Sequence, residues 1–280
     1  MVKILYSENY NGKYNSDFIY YIHNDFAQYN PLAGESSYFY NSDSFRNNGL
    51  SISESDKSIS YDLNSSGFRC DEFGKDTSSN FLFGGCSVSF GMGLPYESNW
   101  AYKLNKEFNK SNFYNLSVPA LSSYAIVNNI VAYIKNYGNP QHIFVMFPDY
   151  YRVPIFKEVD GEMHISTNSL LPNLGLENTM FSKHLSINAI LMLEFICSSL
   201  GIGLTWTTWN EKFNDELNNG PLSKTFNKFL NVLDKMDVGL VKKEKSNMYW
   251  DIARDDSHFG EQIHAIFAKV IENEYKKNNQ

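Results

Sequence analysis

Cysteine is scarce. The 280-residue chain has three, Cys70, Cys86 and Cys197. No two stand in C-x-x-C spacing, which leaves no zinc or dithiol redox motif of that kind, and an odd, sparse set builds no disulfide framework. Such usage suits a reducing compartment. Positive charge is also short: 24 Lys and Arg against 31 Asp and Glu give a formal charge of -7. With no basic stripe interleaved with aromatics, nothing here addresses a nucleic-acid backbone, and no nucleic-acid partner is expected. Long apolar runs are missing, and none approaches the ~20 residues of a membrane span. The first residues, Met1 to Glu8, lack the apolar core of a secretory signal. A soluble chain is therefore expected; its location is left open, with cytoplasmic and virion-associated placements both consistent with the sequence.

What is present favours a packed core: 42% hydrophobic and 16% aromatic residues. Residues 1–60 are rich in Tyr, Asn and Ser and carry no helical period. They read as an irregular N-terminal extension packed by its aromatics, with a strand or short helix near Phe18–Ile22. Regular alternation begins at Tyr61. Strands are predicted at 81–84, 113–118, 142–147 and 203–208, and helices at 98–110, 122–137, 181–200, 222–236 and 259–276. The span 150–179, with Pro154, Pro172 and Gly175, breaks the rhythm and reads as a lid or insertion. Strands alternating with such helices predict an α/β fold, a mostly parallel central sheet in a three-layer α/β/α arrangement.

The most informative segment is Phe81-Leu82-Phe83-Gly84-Gly85-Cys86-Ser87-Val88-Ser89-Phe90-Gly91-Met92-Gly93. A buried strand that ends at Gly-x-Ser before a helix exposes a serine hydroxyl where helix dipoles favour developing negative charge. Near the other end, Asp255 and His258 stand three residues apart just before the last predicted helix. A serine at neutral pH needs a base within hydrogen-bond reach and an orienter behind that base. Ser87, His258 and Asp255 are the candidates for these three roles. Tyr150, Tyr151 and Arg152 follow a predicted strand end and are expected to line the site. Trp209 and Trp250, on predicted loops, are candidates for stacking against substrate. His258, Glu261 and His264 do not have the spacing of a zincin histidine pair, so no metal is expected.

These blocks resemble the SGNH (GDSL-type) hydrolases over roughly residues 61–276, so that residues 61–280 are expected to form an SGNH hydrolase-like domain. Gly85-Cys86-Ser87 with Phe90-Gly91-Met92-Gly93-Leu94 is similar to the family's first block, with Ser87 on the nucleophile and Cys86 where the family has Asp. The run Asn64-Ser65-Ser66-Gly67-Phe68-Arg69 is similar to its lead-in. Asn115–Ser123 resembles the second block, which implies an oxyanion hole formed by the Ser87 and Ala120 amides. Asp255 and His258 match the fifth block. The third block departs: Pro148 stands at or near the family's oxyanion Asn, and proline has no donor. Arg152 or Asn210 substitutes, or the enzyme is slow, or catalysis is lost. The resemblance implies a serine esterase that works through an acyl-Ser87 intermediate without cofactor. Its substrate would be a small-molecule or carbohydrate ester, O-acetyl groups among them. A non-catalytic binding or structural module on the same fold, such as a virion or surface component, is the competing expectation.

Overall fold

The computed structural model describes residues 17–23, 26–28, 37–40, 59–74, 79–119, 121–159, 162–168, 180–220, 222–236, 253 and 258–279. The elements along the chain are β1 (Asp17–His23), β2 (Phe26–Gln28), β3 (Ser37–Tyr40), β4 (Ile59–Asp62), β5 (Phe81–Gly85), α1 (Ser87–Phe90), α2 (Trp100–Glu107), β6 (Tyr114–Asn115), α3 (Ser123–Tyr137), β7 (His142–Phe147), β8 (Val153–Val159), β9 (Glu162–Asn168), α4 (Met180–Leu200), β10 (Gly203–Thr208), α5 (Glu211–Asn219) and α6 (Glu261–Asn279).

Four parallel strands form the central sheet in the order β10-β7-β5-β6. All residues of β5 and β7 are buried, as apolar strands covered on both faces must be. The two-residue side-chain period assigns the layers. On one face of β5, Phe81 meets Tyr275 of α6 at 5.6 Å and Phe83 meets Trp100 of α2 at 5.8 Å between ring centroids. On the other, a Cβ added at Gly84 would touch Ile130 and Ile126 of α3. Helix α2 packs on α6, and α3 packs on α4. The protein is thus an α/β structure with helices on both faces of a mostly parallel sheet.

The predicted strands at 142–147 and 203–208 form as expected. Others are shorter. The strand expected at 113–118 reduces to Tyr114–Asn115, because the Asn115 side chain turns back to accept from the Ser117 amide at 3.1 Å. The helix expected from residue 98 starts at Trp100, since Asn99 caps it by accepting from the Ala101 amide. No helix spans 222–236. There the chain runs beside the edge of β10, where the Trp206 amide donates to Lys228 O (3.1 Å) and the Leu230 amide to Trp206 O (2.7 Å). The segment thereby covers an otherwise open strand edge. Only a 3₁₀ turn at Leu233–Lys235 remains, and the helix of this region lies earlier, at Glu211–Asn219.

The predicted insertion contains the antiparallel pair β8 and β9. Strand β1, the segment left open between strand and helix, pairs with β9, giving a second sheet of order β2-β1-β9-β8. Strands β3 and β4 form an antiparallel pair.

Two histidines are sealed into this framework. His142 shares a 3.0 Å hydrogen bond with Thr205 Oγ1, and His264 Nδ1 accepts from the Trp100 amide at 3.1 Å. Burial, aided by nearby positive charge, pulls each from the ordinary value of 6.5 to about 3. Both stay neutral in the folded chain while they protonate in the unfolded chain, so the stability they support is complete above pH 6.5 and falls as the pH drops toward 3. Urea unfolding between pH 7 and 5, above the carboxylate range, is expected to lose roughly 1–2 kcal/mol for each unit of pH. His142→Gln is expected to reduce that slope by about half, His264 supplying the rest. Stability independent of pH over this window would overturn the assignment.

Candidate active site

The carboxyl ends of parallel strands gather the loops in which sites of such sheets form. Strand β5 ends at Gly85, and Ser87 opens the single turn of α1 that follows. Gly85 is needed for close approach: a Cβ there would lie 2.2 Å from Ser89 Oγ and 2.9 Å from the Met146 carbonyl. The left-handed backbone falls further on, at Gly91 (φ 79°) and Gly93 (φ 73°), where glycine carries no steric penalty.

This turn is held from three sides. Arg69 is buried and donates through Nη1 to the Phe90 and Gly91 carbonyls (3.2 and 2.9 Å) and through Nη2 to the Leu94 carbonyl (3.0 Å). Its guanidinium also lies 4.5 Å from the Tyr61 ring centroid, and Tyr61 Oη accepts from the Gly93 amide at 2.7 Å. Burial lowers the Arg69 pKa to about 10, so it remains a cation at neutral pH. From a second side, the Ser89 carbonyl accepts from Asn99 Nδ2 (2.6 Å) and Asn115 Nδ2 (2.9 Å), and Ser89 Oγ accepts from Trp100 Nε1 (3.3 Å).

Trp209 is the third. It follows the end of β10, and its indole Nε1–H donates to Cys86 Sγ at 3.3 Å. The Arg152 guanidinium lies 5.8 Å from the Trp209 ring centroid. The Phe259 ring meets the indole at 6.4 Å and 75°. Phe259 adjoins His258 just before α6, and the Ala253 amide donates to the His258 carbonyl at 2.8 Å. Trp209 therefore touches both the turn that carries Ser87 and the segment that carries His258.

Ser87 is 7% exposed, and its hydroxyl donates to Cys86 Sγ at 3.9 Å. Cys86 is fully buried. Among the described residues no hydrogen bond joins Ser87 to His258. Asp255 and Ala120, the expected orienter and second oxyanion donor, lie outside the described residues, as does Trp250.

Beyond β7, Pro148 and Asp149 lead into Tyr150, Tyr151 and Arg152. Arg152 Nε is paired with Asp149 Oδ2 at 3.1 Å. Tyr150 is buried and donates to Glu216 Oε1 at 2.9 Å, with its oxygen 3.0 Å from Tyr151 Oη. The hydrogen bond from Lys212 holds the Tyr151 phenol below its ordinary pKa, while burial raises that of Tyr150. Asn210 caps α5, its Oδ1 accepting from the Phe213 amide at 2.8 Å. The run after β7 thus supplies charged and phenolic side chains, with Arg152 against Trp209. Among the described residues no group of three His, Cys, Asp or Glu side chains is placed to hold a metal. His264 Nδ1 is taken by the Trp100 amide, and Glu261 accepts from Ser98 Oγ at 2.6 Å.

The residues that sequence reasoning left without a role are Arg69, Ser89, Asn99 and Asn115. All are buried, and no shared local pattern in the sequence marks them.

No protein-family model matches the sequence, and no curated protein matches it. Among solved structures, the chain is similar to a psychrotrophic esterase, EstA, from Pseudoalteromonas inhibited by monoethylphosphonate: 14% identity, 72% of this chain and 98% of that one, TM-score 0.44. It is also similar to a two-domain esterase active on acetylated mannans, co-crystallized with mannopentaose, at 16% identity over 72% of this chain and 50% of that one, TM-score 0.44. A member of the lipolytic G-D-S-L family from Veillonella parvula matches at 13% identity over 69% and 96%, TM-score 0.41.

Proposed function

We propose that the chain hydrolyses carboxylic esters through an acyl-Ser87 intermediate, with residues 61–280 as the hydrolase domain and 1–60 as an extension to it. One observation carries the reading. The Ser87 turn, the His258 segment and the Tyr150–Arg152 run meet around Trp209 at the carboxyl edge of a parallel sheet. In this mechanism the Ser87 hydroxyl adds to the ester carbonyl carbon as its proton passes to the His258 imidazole. The carbonyl oxygen becomes an oxyanion received by the Ser87 and Ala120 amides. Collapse expels the alcohol, which takes its proton from His258. Water, deprotonated by the same imidazole, then releases the acid and restores Ser87. Asp255 holds the imidazole tautomer. Tyr150, Tyr151, Arg152 and Trp209 border the space for the substrate, a small or carbohydrate ester.

The second reading is a binding or structural module that keeps the fold without the chemistry. It is favoured by the Ser87 hydroxyl facing Cys86 and by Pro148, which brings no donor to the third block. A fluorophosphonate probe separates the two. The hydrolase gains a covalent adduct that peptide mapping places on Ser87. An intact protein that stays unlabelled at high probe concentration would establish the module instead.

A further inference from the structure

The Trp209 indole has a task beyond bordering a substrate space. Its N–H is turned into the protein toward a sulfur, its face carries the Arg152 guanidinium, and its edge meets Phe259. An indole has one donor and no acceptor. Thiols are weak acceptors, so the part-buried N–H···Sγ bond to Cys86 is of low strength with a definite direction. Cys86 caps α1, its carbonyl accepting from the Phe90 amide at 2.8 Å, and it is joined by a peptide bond to Ser87. A pull on Sγ is therefore transmitted to the residue whose hydroxyl and amide both serve the proposed reaction.

We infer that Trp209 is a positioning residue: its N–H···Sγ bond to Cys86 fixes the Ser87 turn, and its contact with Phe259 sets that turn in register with the segment bearing His258. The inference rests on the esterase reading for its kinetic consequence, though not for the bond itself. The pair also gives a reason for a thiol beside the nucleophile. At this fully buried position a carboxylate would carry a heavy desolvation cost, whereas a thiol accepts the indole N–H without charge.

A double-substitution cycle tests it. Trp209→Phe keeps an aromatic ring for Arg152 and Phe259 and removes the donor together with part of the ring system, a packing loss common to every background. It is expected to slow fluorophosphonate labelling of Ser87, and ester turnover, about fivefold to tenfold, the scale of one hydrogen bond, with KM unchanged. In a Cys86→Ala background, where the bond is already absent, the same change is expected to slow labelling less than twofold. In a Cys86→Ser background, which restores an acceptor, the full loss should return. Equal losses in all three backgrounds would mean that the indole acts through packing alone, and would overturn the inference. A readout independent of activity is the Ser87 backbone amide resonance, expected to move on Trp209→Phe in the wild-type background and to stay in place in the Cys86→Ala background. If the wild type takes no label yet this resonance responds, the esterase reading fails and the positioning role stands. Labelling of the wild type with neither rate nor resonance sensitive to Trp209→Phe would end the positioning role alone.

Discussion

Replacing Ser87 with alanine is expected to abolish fluorophosphonate labelling and to cut ester turnover by about 10³-fold or more, the scale on which a triad nucleophile acts. Stability should change little. The Ser87 hydroxyl makes one long contact, 3.9 Å to Cys86 Sγ, and its removal leaves only that sulfur with one donor fewer, the Trp209 N–H remaining. Circular dichroism and the urea midpoint check the fold, and p-nitrophenyl acetate turnover checks the chemistry. Turnover retained in a folded Ser87→Ala protein would remove the serine mechanism. Labelling transferred to Cys86 in that variant would make the thiol the reacting group.

Arg69→Ala is expected to be the most destabilising single change in the site. The guanidinium donates to three carbonyls, those of Phe90, Gly91 and Leu94, in a place the solvent does not reach. Truncation takes from three carbonyls a charged donor worth about 1.5–3 kcal/mol for each bond, although the Gly91 carbonyl keeps the Leu94 amide at 3.2 Å. The Tyr61 and Phe90 rings lose their contact with it as well. A loss of about 4 kcal/mol or more is expected in urea unfolding. Arg69→Lys keeps a charge and loses the fork that reaches separate carbonyls, so it should recover only part of the loss. Because the loop from Phe90 to Leu94 directly follows the Ser87 turn, Arg69→Lys should also slow labelling of Ser87 in protein that remains folded. A cost under about 1 kcal/mol for Arg69→Ala would show that water replaces the guanidinium without penalty, and the clamp would have no energetic role.

Where the sequence was readable, the reason was local. The apolar runs at 81–85, 142–147 and 203–208 match the two-residue period and the continuous burial of parallel strands. The Gly-x-Ser step placed Ser87 directly after a strand, because that pattern is contiguous. Where the reading erred, a distant backbone decided. Residues 222–236 have enough apolar spacing for a helix, but the open edge of β10 supplies hydrogen-bond partners to Lys228 and Leu230 that no local pattern announces. Strand β1 was ambiguous for the same reason, its partner β9 lying more than a hundred residues along the chain.

The sequence by itself determined the α/β alternation, the parallel character of the central strands and the place of Ser87 at a strand end, because each follows from periodicity within a few residues. Only the tertiary structure decided what surrounds that serine. It brought Arg69 onto the loop after it, turned the Trp209 N–H to Cys86 across 123 residues of chain, and laid Phe259 against the same indole. Such contacts are set by how strands are ordered in the sheet and how the loops at their carboxyl ends converge. Sequence separation carries no trace of that order.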